Sequence, residues 1–97
     1  MKFNLKDYRN CKMLIGRNFG KIDRNGMGLE KWEKEQDEII IEIDDKYTTI
    51  GSSYWLAMFG QSVRDLGEEE FREIYTFKCK KAFKESIDKF IDLALGK

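Results

Sequence analysis

The chain contains no histidine. That absence removes the commonest general base, the Ser-His-Asp and Cys-His nucleophile arrangements, and most zinc sites. Cysteine is scarce too. Cys11 and Cys79 are far apart and lack a CxxC partner, so they read as ordinary reduced thiols of a cytoplasmic protein, with no metal or cofactor expected. No apolar run approaches the ~20 residues that a membrane span requires. The start, MKFNLKDYRN, has no apolar stretch behind its basic residue, so neither a membrane anchor nor a signal peptide is expected. An excess of one charge is also missing, because 18 basic and 18 acidic residues cancel. This argues against a nucleic-acid partner, whose phosphates require a basic excess. It also lifts the electrostatic brake on self-association and leaves a homodimer open.

What is present is core material. The 97 residues are 41% hydrophobic, with seven Phe, four Tyr and two Trp, enough for one core and a single domain over 1–97. Residues 1–5 alternate weakly, Met1, Phe3 and Leu5 against Lys2 and Asn4, as a short edge strand would, and 11–15 is a second apolar stretch. Glycines at 16, 20, 26 and 28 predict an irregular loop over 16–28. Over 29–36, Leu29 and Trp32, with Met27, share a side opposite Glu30, Lys31, Lys34 and Glu35, which predicts a short helix with Gly28 at its N-terminal cap.

Residues 38–44 carry the clearest strand pattern, with Ile39, Ile41 and Ile43 on one face and Ile40 and Glu42 on the other. One face wholly apolar and one half so suits a sheet covered by helices on one side and partly open on the other. Asp44-Asp45-Lys46 supplies turn chemistry at the strand's end. Gly51-Ser52-Ser53 then opens a helix to about 66, in which Trp55, Phe59, Val63 and Leu66 form one stripe, and Gly67 stops it. A glycine inside a helix costs about 1 kcal/mol relative to alanine, so Gly60 predicts close packing of helix on sheet. Glu68-Glu69-Glu70-Phe71 reads as a charged turn, and 74–77 as a strand with Tyr75 and Phe77 on one face. The final helix, over 81–95, turns Phe83, Ile87, Phe90, Ile91 and Ala94 inward. Strand–helix–strand order predicts right-handed parallel crossovers. The sum is a small α/β domain: a mostly parallel sheet of about four strands with three helices packed mainly on one face.

The stretches GRNFG, NGMGLEKW, IIIEID and GSSYWLAMFG, in this order, resemble the STAS-like domain family of unknown function, small bacterial relatives of the anti-sigma factor antagonists. Gly16-Arg17 matches the family's Gly/Arg loop, Gly28 the glycine of its Ser-Gly step, Asp44 its strand end, and Ser53-Tyr54-Trp55 with Phe59-Gly60 its helix signature; the likeness covers about 14–95. Met27, Leu56, Ala57 and Gly51 stand where the family or its cousins carry Ser or acidic residues. The resemblance implies a STAS-like fold and a regulatory, non-enzymatic role. It implies a protein partner, a kinase-like ATPase or another regulatory protein, and a phosphorylatable serine near Ser52.

Two places can carry function. At Gly51, Ser52, Ser53 and Tyr54, one serine is expected to cap the helix and the other to be open to a phosphate, which the helix start would stabilise. Trp32, Trp55 and Tyr54 read as core, but Tyr54 lies off the main stripe and fits an exposed contact beside Ser53. The second place is the 16–28 loop, where Arg17, Lys21, Arg24 and Gly28 suit an anion or nucleotide phosphate, though no Gly-Lys-Ser/Thr follows. The bland alternative is a solvated connector. Asp44 and Asp45 read as a turn, not a phospho-acceptor pocket, and the lysines at 78, 80, 81 and 84 as a solvated rim. The leading expectation is an interaction module working through the 51–55 turn. The second is a phage or mobile-element inhibitor of a host complex, or a nucleotide-signal binder using 17–24. An enzyme comes last, since no carboxylate, Lys, Cys or Tyr pair stands out.

Overall fold

The computed structural model describes residues 2–4, 13–35 and 38–97. In chain order the elements are β1 (Lys2–Asn4), β2 (Met13–Leu14), α1 (Arg17–Met27), α2 (Leu29–Glu35), β3 (Ile39–Glu42), β4 (Thr49–Ile50), α3 (52–66), α4 (Glu68–Ile74), β5 (Tyr75–Lys78) and α5 (Lys81–Ala94). Cys11, Met1 and Leu5 lie outside the described residues.

The alternation at 38–44 does what it predicts. β3 is the central strand, with β1 and β5 parallel on either side. Ile41 is in register with Phe3 and Phe77, and Ile39 with Tyr75, so these rows make the covered face. The opposite face presents Lys2, Ile40 and Thr76 in one row, and a Lys2–Glu42 ion pair at 2.9 Å lies across it. One face is packed and the other is partly open, as the half-apolar pattern requires.

The strands do not form one sheet of about four. β2 and β4 make a separate parallel pair, Met13 with Thr49 and Leu14 with Ile50. Among the described residues there are five helices, not three. The buried apolar side chains nevertheless form one cluster, running from Phe3 to Ala94. α3 is its axis. Trp55 and Phe59 from α3 meet Phe71, Tyr75 and Phe77 at ring-centroid distances of 5.2–6.2 Å, and Phe90 of α5 closes on Trp55 at 5.7 Å. Such offset and edge-on pairs add to plain burial.

Three local expectations are corrected. The stretch 16–28 is not an irregular loop: Arg17–Met27 is helical, and Gly28, at φ 66°, closes α1 and starts α2 at once by accepting the Lys31 and Trp32 amides. Gly20 shows why glycine is there, since a Cβ would sit 2.5 Å from the Tyr54 carbonyl oxygen and 2.7 Å from the Ala57 Cβ. Here α1 crosses α3 so closely that only a bare Cα fits. Gly60, by contrast, has its own helix beside it and not the sheet; the nearest atoms to an added Cβ belong to Arg64 and Leu56. Third, Glu68-Glu69-Glu70 is the first turn of α4, not a free turn. Gly67 at φ 84° ends α3 and lets α4 begin, and three carboxylates at a helix start complement its positive end. Hydrogen bonds from Arg72 and Lys97 hold the Glu68 carboxyl below the usual glutamate range.

α3 itself is interrupted. Ser52–Trp55 and Gln61–Leu66 are α-helical, but Leu56–Gly60 is a π turn. No helix among the described residues is long and apolar enough to cross a membrane.

Candidate functional site

Two strand–glycine–helix units stand side by side. β2 leads through Ile15 and Gly16 into α1, and β4 leads through Gly51 into α3. The parallel pairing of β2 with β4 brings these two helix starts together, and the Gly51 amide extends the pairing by donating to the Leu14 carbonyl at 2.8 Å. Each glycine has a reason. Gly16 takes φ 98°, a conformation costly for any side chain, and the Phe19 ring lies 3.5 Å from where its Cβ would be. Gly51 is extended, but an added Cβ would press on Ile15 Cγ2 at 3.2 Å.

The result is an open cleft of about 650 Å³ lined by Ile15, Gly16, Arg17, Asn18, Phe19, Gly51, Ser52 and Ser53. Gly51, Ser52, Ser53 and Arg17, taken from two separate candidate places in the sequence, thus line one feature. Neither serine caps α3: the cap residue is Gly51, and no side chain accepts from the first-turn amides there or at α1. Ser52 and Ser53 are both exposed in the first turn, where a capping hydroxyl had been expected.

The other candidates go elsewhere. Tyr54 is buried and its hydroxyl donates to Asp23 Oδ2 at 2.6 Å, so the exposed contact role falls away. Lys21 is exposed on α1. Arg24 turns inward, donating to the Met58 carbonyl and to Ser62 Oγ at 2.9 Å. Gly28 lies at the far end of α1, about 16 Å along its axis from the start. Arg17, Lys21, Arg24 and Gly28 are therefore strung along a helix and do not converge on one anion.

Arg24 belongs to a second polar cluster that the sequence did not reveal. Ser62, fully buried, donates to Glu33 Oε1, and the Tyr75 hydroxyl donates to the same oxygen at 2.9 Å. Arg24 Nη2 stands 3.8 Å from Glu33, whose side chain is 11% exposed. Burial, and then the Glu33 charge, push the Tyr75 phenol far above its ordinary value. The cluster ties α1, α2, α3 and β5 together, and the π turn supplies one of its acceptors, the Met58 carbonyl. Its groups are saturated by one another, which suits a structural tie more than a reacting centre.

Elsewhere, the Asp44 side chain accepts the Lys46 amide at 2.8 Å, the turn expected there. Lys80 is not merely part of a solvated rim, since it donates to the Tyr47 carbonyl at 2.9 Å and stands over the Phe83 ring. Burial pushes the Cys79 thiol up, away from a reactive thiolate. Among the described residues, no group of three or more Cys, Asp or Glu side chains is placed to hold a metal ion.

The cleft mixes two apolar side chains, Ile15 and Phe19, with Arg17, Asn18 and the two serines, and further exposed apolar side chains flank it in sequence. Met13 is 45% exposed, Ile15 45%, Phe19 50% and Ile22 61%; among the described residues, only Leu93 of the large exposed apolar side chains lies outside this stretch. Comparison with protein-family models, with curated proteins and with solved structures finds no match to this chain.

Proposed function

We propose that the chain is a non-enzymatic interaction module of STAS-like kind that docks a protein partner at the paired starts of α1 and α3, with Ser52 and Ser53 as the positions where a phosphate would switch binding. The supporting observation is the exposure of Met13, Ile15, Phe19 and Ile22 within ten residues, of which Ile15 and Phe19 line a cleft that also holds both serines. Apolar side chains grouped at a surface are characteristic of contact sites, and an aromatic at the centre is the usual anchor. A catalytic reading has less to stand on. None of the cleft's eight lining residues is a carboxylate, lysine, cysteine or tyrosine, and a serine hydroxyl without a base is a weak nucleophile.

A phosphate on Ser52 or Ser53 would add a charge of about −1.5 to −2 in the first turn of α3 and in the cleft that Arg17 lines. The rival nucleotide-signal reading loses one of its three cations, because Arg24 is committed to Met58 and Ser62.

Co-expression with the products of adjacent genes, a kinase-like ATPase first, followed by calorimetry tests the proposal. A complex is expected for the wild type, weakened roughly tenfold or more by Phe19→Ser and altered by Ser52→Asp or Ser53→Asp. Binding unaffected by all three substitutions would move the interface elsewhere, and no complex would remove the reading.

A further inference from the structure

Resting on that reading, we infer that the partner offers an acidic polypeptide segment with apolar anchors. The argument is the sign of the charge around the exposed apolar strip. Between residues 13 and 29 the one acidic side chain is Asp23, which is 3% exposed and already accepts from Tyr54. Arg17 and Lys21 are exposed, one turn apart, on the helix that carries Phe19 and Ile22. The exposed charge of α1 is therefore entirely positive.

The two helix starts add to it. Neither α1 nor α3 has an acidic residue in its first turn or a side-chain cap, whereas α4 begins with three glutamates. A helix start left without a carboxylate keeps its partial positive charge. Ile15 and Phe19 thus line a cleft with Arg17 at two helix starts that lack an acidic first turn, and Lys21 is exposed one turn further along α1. The complementary surface is one in which Leu, Ile or Phe side chains alternate with Asp or Glu.

An anionic membrane is the less fitting occupant. Polybasic membrane contacts draw on about four to eight cations, and among the described residues of this stretch the exposed ones are Arg17 and Lys21. Its apolar groups border a cleft with serine hydroxyls in it, a shape that receives side chains. The inference also gives the switch a direction: a phosphate on Ser52 or Ser53 places negative charge where the partner's carboxylates would go, and releases it.

The test uses the full chain, labelled with nitrogen-15, and a pair of short synthetic peptides sharing the same Leu and Phe anchors. One is filled in with glutamate and the other with lysine. The glutamate peptide is expected to shift the amides of Ile15, Phe19, Ile22, Ser52 and Ser53, with binding that weakens as salt rises. Arg17→Glu with Lys21→Glu should reduce it roughly tenfold or more, and Ser53→Asp should reduce it as well; all three positions are exposed, so the fold is preserved. Equal binding of the lysine peptide, indifference to charge reversal, or no peptide shifting these amides would overturn the inference. So would amide shifts obtained only with phosphatidylserine–phosphatidylcholine vesicles. These failures are separable from failure of the interaction reading: a neighbouring gene product whose binding is lost in Phe19→Ser but unchanged by charge reversal would leave that reading standing and remove this one.

Discussion

Helices α1 and α5 are both two-sided, but they face opposite ways. α5 buries Phe83, Ile87, Ile91 and Ala94 and gives its charges to water, the ordinary arrangement. α1 buries Gly20, Asp23, Arg24 and Met27 and leaves Phe19 and Ile22 in water. The first is held by apolar area. The second is held by a close backbone crossing at Gly20 and by hydrogen bonds from Arg24 and to Asp23. A helix that docks largely through its polar side exposes apolar side chains, and here Phe19 lines the cleft. The difference between the two helices is one of what each buries and what each leaves exposed.

That contrast can be broken from the α1 side first. Arg24→Met would leave the Glu33 carboxylate buried without its cation and strip the Met58 carbonyl of its donor, a loss of about 4 kcal/mol by chemical denaturation. Adding Glu33→Leu should recover part of it, because the uncompensated charge is gone. The matching break in α5, Ile87→Ala, should cost about 3 kcal/mol through the cavity it opens, with no compensating second substitution nearby. Gly20→Ala sharpens the comparison further. Alanine normally gains about 1 kcal/mol over glycine inside a helix, yet here a net loss of about 2 kcal/mol is expected, since the Tyr54 carbonyl would have to move.

A smaller effect is confined to alkaline solution. Tyr75 holds its proton more tightly when folded than when unfolded, because burial and Glu33 disfavour the phenolate. Its stabilising contribution is complete below the unfolded value near pH 10 and is lost as pH rises beyond it. Thermal melts should therefore fall above about pH 10 less steeply in Tyr75→Phe than in the wild type. The smallest expected change in stability is that of Phe19→Ser, within about 0.5 kcal/mol, although the same substitution should most weaken partner binding. If Phe19→Ser instead destabilised the fold by as much as Ile87→Ala, α1 would be an ordinary helix after all.

The same contrast explains what the sequence reveals. β3 and α5 were legible because Ile39, Ile41 and Phe83, Ile87, Ile91 keep strict periods of a strand and a helix. α1 was not, because periodicity is read from apolar residues and its buried side is glycine, aspartate, arginine and methionine. Its glycines spoke for a loop, and only Gly20's position against Tyr54 shows that one of them is a packing device. β2 and β4 are too short to alternate, so their pairing was invisible, and with it the meeting of Arg17 with Gly51, Ser52 and Ser53. Each half of the cleft could be picked out by itself; their adjacency could not. Tyr54 is buried, as its core reading expects, but its hydrogen bond to Asp23, 31 positions away, was not legible. The triple glutamate at 68–70 was a missed signal, because acidic residues directly after a stop glycine mark a helix start as well as a turn.

The π turn at Leu56–Gly60 sets an angle between the two ends of α3. Each helical residue advances the direction of the side chains by about 100°, so accommodating one residue more than a regular turn rotates everything upstream relative to everything downstream. Ser52 and Ser53 point to the cleft while Ser62, on the far side of the turn, points into the Arg24–Glu33 tie. A single-residue deletion within 56–60 would let the helix regularise with both ends still in phase, whereas regularising at unchanged length, or an insertion, would turn one end about its axis against the other. Either the cleft serines or the buried serine would then be out of phase. The turn type of this one segment is thus a constraint of its own, and a deletion here should be tolerated far better than an insertion.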